Sequence, residues 1–196
     1  MQILASRKSE MKRILRSKKG LSTVVTTLII LVVSVLLATV VTYYAINITS
    51  TRVEEESLSV RKAHVWVDTT DDDQAAFVII NTGGRDVVLD KITIRGQEIS
   101  WSSVFYNISS SAPSDDLSHQ DETNLVDNGT ITIGTTSYTL EAASNDIVLP
   151  SGQSMIVYIK DPGSISRQDV GTTVGIVVFT AQAQYYKECN VEAYTG

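Results

Sequence analysis

The sequence predicts an α+β chain: a long N-terminal hydrophobic helix followed by an all-β, immunoglobulin-like sandwich head. Three observations carry this. No charged side chain occurs over residues 20–51. Beyond that stretch the hydrophobic period switches from helical to two. The charge is also divided: residues 1–20 hold seven basic side chains against one acid, a net +6, which leaves −12 on the other 176 residues of a chain whose total is −6. The expected boundaries are a basic segment over 1–20, a helix over 21–58 and a β-sandwich over 62–196.

Residues 21–48 are mostly aliphatic. As a helix rising about 1.5 Å per residue they span about 42 Å, more than the roughly 30 Å hydrocarbon core of a bilayer. A backbone in lipid must satisfy its own hydrogen bonds, so a helix is expected despite the many valines. Basic residues before the segment and Glu54, Glu55 and Glu56 after it place the N-terminus in the cytoplasm and the head outside. Residues 51–61 read as a charged helical continuation of about two turns, then a hinge.

Three fates fit such a segment. A secretory signal has an apolar core of about 7–15 residues and a small-residue cleavage site; this core is longer and runs into Tyr43, Tyr44 and Asn47. A plain single-pass anchor satisfies every physical requirement. A prepilin-type leader is cut before the apolar segment. The junction Lys18-Lys19-Gly20-Leu21-Ser22-Thr23-Val24-Val25 resembles the processing site of archaeal type IV pilins and archaellins, the class III signal peptide. That resemblance covers residues 18–48 and implies cleavage by a membrane aspartyl peptidase between Gly20 and Leu21. Residues 1–20 are then a cleaved leader. Glycine exposes backbone to a protease, and paired lysines hold the junction at an anionic membrane face. The fifth position after the cut is Val25 rather than the glutamate of bacterial type IV pilins, which fits the archaeal branch. The long leader and the run from Ser22 to Thr27 resemble adhesive pilins more than archaellins.

At about 100° per residue, Thr23, Thr26, Thr27 and Ser34 fall within one arc of about 100° on the helix, with Thr39 and Thr42 outside it. Small hydroxylated residues let helices approach closely and bond either across the contact or back to their own carbonyls. These four are therefore the expected packing face.

The remainder reads as strands over 63–68, 75–81, 87–89, 91–95, 130–134, 137–140, 154–160 and 173–184. Glycine- and proline-containing turns separate them. Seven or eight strands in about 135 residues suggest an immunoglobulin-like sandwich. Residues 102–124 hold seven serines without a strong period and read as a long exposed loop.

Little in the head suggests chemistry. The acidic bulk argues against nucleic acid. The single Cys189 excludes an intrachain disulfide and a cysteine zinc cage; it either cross-links subunits or sits buried. There is no nucleotide loop, HExxH or nucleophile elbow. His119 lies near carboxylates but lacks a nucleophile, and reads as a polar loop residue. His64 reads as a strand residue facing solvent. Asp71, Asp72 and Asp73 cannot all face one calcium ion from a strand and read as a polar turn. Asn47, Asn107 and Asn128 head N-glycosylation tripeptides; the asparagines either carry glycans or sit unmodified in polar turns.

The resemblance and the helix together imply a structural subunit of an archaeal type IV pilus-like filament with an adhesive use, not an enzyme, without cofactor or metal. Its partners are the membrane before assembly, a prepilin peptidase and pilus assembly machinery, and copies of itself. The alternatives are an archaellin of a motility filament, a monomeric membrane-anchored module with an immunoglobulin-like head and, more remotely, an anchored hydrolase.

Overall fold

Helix α1 runs without a break over Gln2–Val53. The structure is a computed structural model that describes residues 2–53, 55–68 and 73–194, with side chains for 20–49, 55–68 and 73–194. The chain divides into two compact units, 1–51 and 52–196. The helix starts at Gln2 rather than at Leu21, because residues 2–19 are rich in Leu, Lys, Arg and Met, which are strong helix formers.

The helical continuation expected to residue 58, with a hinge to 61, is replaced by strand. α1 ends at Val53 and β1 occupies Leu58–Asp68. Leu58 is buried in the head, and Leu58 to Arg61 pair in register with Asn81 to Val78. Tertiary pairing thus overrides local helix preference, and the head begins at 58 rather than 62.

The further strands are β2 (Gln74–Asn81), β3 (Val87–Ile94), β4 (Gln97–Glu98), β5 (Val104–Ser109), β6 (Thr130–Ile133) and β7 (Thr136–Thr139), then β8 (Glu141–Ala142), β9 (Ile147–Leu149), β10 (Ser154–Lys160), β11 (Thr173–Thr180) and β12 (Gln184–Tyr194). They form a sheet in the order β4-β3-β11-β12-β1-β2-β10-β5-β8, with β9 paired to β3 and a separate β6–β7 hairpin. The sheet curls into a sandwich, as expected. Every pairing is antiparallel except β1 with β12, where Val65 faces Val191. The main core lies between the two halves and draws on Val65, Phe77, Leu89, Ile92, Val157 and Ile176.

The reading of 102–124 as an exposed loop holds for 110–121, which is irregular and exposed at most positions, but not for the rest. Val104 to Ser109 form β5, and the following segment lies across the outer face of β2 and β10 with the β6–β7 hairpin. Leu117, Leu125, Ile131, Ile133 and Leu140 there bury against Ala76, Val78, Phe105, Ile156 and Tyr158 in a second core. The cause is visible in β2 and β10, which are buried at nearly every position, so both their faces need a cover. The strand expected over 173–184 stops at Thr180, and the chain turns back as β12, which sequence reading missed.

Candidate functional site

The largest unsatisfied surface of the described residues is the helix. Gly20–Thr49 has mean hydropathy 2.9, and none of it is buried within the chain. It is long and apolar enough to cross a membrane. Leu28, Ile30, Leu31, Leu36 and Leu37 are each exposed, on all sides of the helix.

Within this span every hydroxyl with a resolved bond turns inward. Thr26 Oγ1 donates to the Ser22 carbonyl at 2.9 Å, Thr27 Oγ1 to Val24 at 2.9 Å and Ser34 Oγ to Ile30 at 2.7 Å. Thr39, Thr42 and Thr49 bond back in the same way. In the single chain these hydroxyls bond back to their own helix, the second of the two modes open to the stripe. With the hydroxyls satisfied, Thr26, Thr27 and Ser34 present short side chains and no unmet polar demand. Thr23 lies on the same arc.

At the junction, Gly20 is the only glycine of α1. A Cβ built on it meets nothing within 4 Å. Leu21 beside it is exposed. The side chains of Lys18 and Lys19 lie outside the described residues, as do Asp71 and Asp72.

The head holds one polar constellation that sequence reading missed: its two histidines share an aromatic column. His64 stacks on Trp66 with centroids 5.2 Å apart, Trp66 meets His119 edge-on at 6.1 Å, and His119 stacks on Tyr194 at 3.8 Å. His64 therefore lies on the covered face of β1, not the solvent face expected. Its Nε2 is 3.1 Å from Asp116 Oδ1 and its Nδ1 3.4 Å from Glu192 Oε1. Burial alone would raise the Asp116 pKa. The His64 hydrogen bond, the Leu117 amide and the charges of His64 and Lys62 outweigh it and hold the carboxyl below its usual value. The same covering segment is tied down by Lys62, whose ammonium donates to the carbonyls of Pro113 and Ser114 at 2.8 Å each and to that of Asp115. The Gln74 side chain donates to the Gln120 carbonyl and accepts from the Gln120 amide, and Tyr158 donates to the Ser118 carbonyl at 3.0 Å. The column joins β1, the cover and β12. No described group of His, Cys, Asp and Glu is arranged to hold a metal ion.

Cys189 is half-buried on β12, and burial pushes its thiol up to about 11. A thiol so rarely ionised is a poor nucleophile, which weighs against cross-linking. Asn107 lies in β5 and Asn128 in an exposed turn.

No family model and no curated protein matches the chain. Among solved structures it is similar to an apo PmoF2 PCuAC domain, at 16% identity and TM-score 0.41, covering 71% of this chain and 95% of that one. It is also similar to the ligand binding region of serine-glutamate repeat protein A of Enterococcus faecium, at 11% identity and TM-score 0.30, covering 73% and 100%. A beta-glucosidase from Listeria innocua follows at 11% identity and TM-score 0.26, covering 71% of this chain and 16% of that one. At these TM-scores the likenesses assign no function.

Proposed function

We propose that the chain is a structural subunit of an archaeal type IV pilus-like extracellular filament with an adhesive use, and that it works by assembly rather than catalysis. One observation carries the reading: an uncharged helix, wholly exposed within the chain, stands directly behind Lys18-Lys19-Gly20. Exposing apolar surface to water costs about 25 cal/mol per Å², so such a helix needs lipid or other helices around it. Removal of residues 1–20 lets the helix leave the membrane and pack among copies of itself, with the heads outside. Contacts of this kind are heterologous, and when their rotation does not close they build a filament. Before assembly the precursor sits in the cytoplasmic membrane with its N-terminus inside.

A monomeric anchored module with a β-sandwich head is the second reading. The inward-turned hydroxyls favour it, because a helix with no unmet polar group can stay in lipid alone. Intact-mass measurement of the native protein separates the two. A mature N-terminus at Leu21 in sheared filaments supports the subunit; an intact Met1 in the membrane fraction, with no filaments, refutes it.

A further inference from the structure

We propose that Asn128 is the N-glycan acceptor of the head and that Asn107, which heads the same kind of tripeptide, is not. The proposal rests on the reading that places the head outside the cell. Glycan transfer forms a bond from the asparagine Nδ2 to the anomeric carbon of a lipid-phosphate-linked oligosaccharide. The bond from that carbon to the phosphate oxygen breaks, the lipid phosphate leaves, and one amide proton passes to a base of the transferase. No electrons change hands. The acceptor amide must be reachable, and the attached sugar must project into solvent without displacing protein.

Asn128 meets both conditions. It is exposed in the turn before β6, at φ 61°, a left-handed conformation that asparagine tolerates. Thr130, the hydroxyl residue of the tripeptide, is exposed at the start of β6. The turn is held without the Asn128 side chain: Asn128 N–H donates to the Leu140 carbonyl, Gly129 N–H to Val126, and Leu140 N–H to Gly129, while Asp127 Oδ1 accepts from the Ala142 amide. A Cβ at Gly129 would lie 2.1 Å from the Asn124 carbonyl oxygen, so the middle position must be glycine. The Asn128 amide donates to Asp127 Oδ2 at 3.0 Å, a bond between two exposed side chains that one side-chain rotation releases. A sugar there disturbs none of the bonds that hold the turn.

Asn107 is half-buried within a paired strand and suits a glycan less well. It faces Ile156 across β10, on the same side of β5 as the buried Phe105, which is the side the hairpin covers. Its amide donates to the Thr139 carbonyl at 2.7 Å, and Ser109 Oγ donates to Ser111. A glycan on this Nδ2 would have to fit between β5 and the covering β6–β7 hairpin, beside the Thr139 carbonyl. Asn47 is also unsuited: its tripeptide is α-helical, and Thr49 Oγ1 donates to the Ala45 carbonyl at 2.8 Å.

The test expresses the full chain in a host that exports and N-glycosylates, beside a control glycoprotein showing that the machinery is active. Protease added outside intact cells reports whether the head is exported, and mass spectrometry locates the glycan. Thr130→Ala should abolish the head's glycan with Asn128 retained, and Ser109→Ala should leave it unchanged. A glycan on Asn107, one that survives Thr130→Ala, or an exported head bare at Asn128 overturns the assignment. A head protected from the protease refutes the export reading itself, and this inference falls with it.

Discussion

Glycine in a helix interior costs about 1 kcal/mol relative to alanine, so Gly20 marks the softest point of α1. Because a Cβ at that position meets nothing within 4 Å, replacing Gly20 is a test of recognition more than of folding. Gly20→Trp should leave membrane insertion intact and block removal of residues 1–20. The readout is the N-terminal mass of the membrane-bound subunit, and wild-type amounts of Leu21 ends from this variant contradict the assigned cut. Thr27 and Ser34 pose a different question. Leucine at both removes the inward hydroxyl bonds and adds volume on one face, and overpacking a contact costs about 1–3 kcal/mol per site. Thr27→Leu with Ser34→Leu should be inserted and cleaved normally but yield few filaments. Shearing cells and comparing filament with processed subunit in the membrane measures this; equal yields favour a lone anchor.

Two elements set the stability of the head, its main sandwich and the cover over β2 and β10. Leu125 is 1% exposed within that cover. Leu125→Ala should therefore destabilise the head by about 2–5 kcal/mol, as a core leucine does. A surface-loop leucine would stay within about 0.5 kcal/mol, so denaturant unfolding distinguishes a packed cover from a loose one. The cover also has a pH signature. The Asp116 pKa is lower folded than unfolded, so its contribution is present above the unfolded value and is lost as pH falls through the folded one. Asp116→Asn should lower Tm near neutral pH, and the two proteins should converge in acid once Asp116 is protonated in the folded state. Parallel melting curves at all pH values contradict the His64–Asp116 pairing. The helix, β2 and β10 were legible from their continuous apolar runs, and β11 from its alternation. β5 and the cover were not, since Leu117 and Leu125 are isolated among serines and aspartates. The buried character of consecutive positions in β2 and β10 was the available signal, because a strand apolar on both sides needs two covers. The aromatic column had no such signal: residues 64, 119 and 194 meet only through the parallel β1–β12 pairing and the path of the cover.

For the whole molecule, the helix and the head respond differently to solvent. A filament held by uncharged helices should keep its integrity at about 1 M salt, where screening acts on exposed charges over only about 3 Å. Sedimentation in high salt without detergent measures this, and release of soluble monomers contradicts a helical core. Detergent, which replaces neighbouring helices as an apolar surrounding, should dissociate the filament instead. The parallel pairing of the first and last strands has a geometric consequence for how the head can be extended. β1 enters the head at Leu58, and its other end, Asp68, lies beside Tyr194. At about 3.3 Å per residue, the eleven residues of β1 carry the chain about 36 Å. Tyr194, to which an epitope tag or a domain could be fused by way of the residues after it, therefore lies at the end of the head opposite Leu58. Cargo added there would leave the Leu58 end of the head clear.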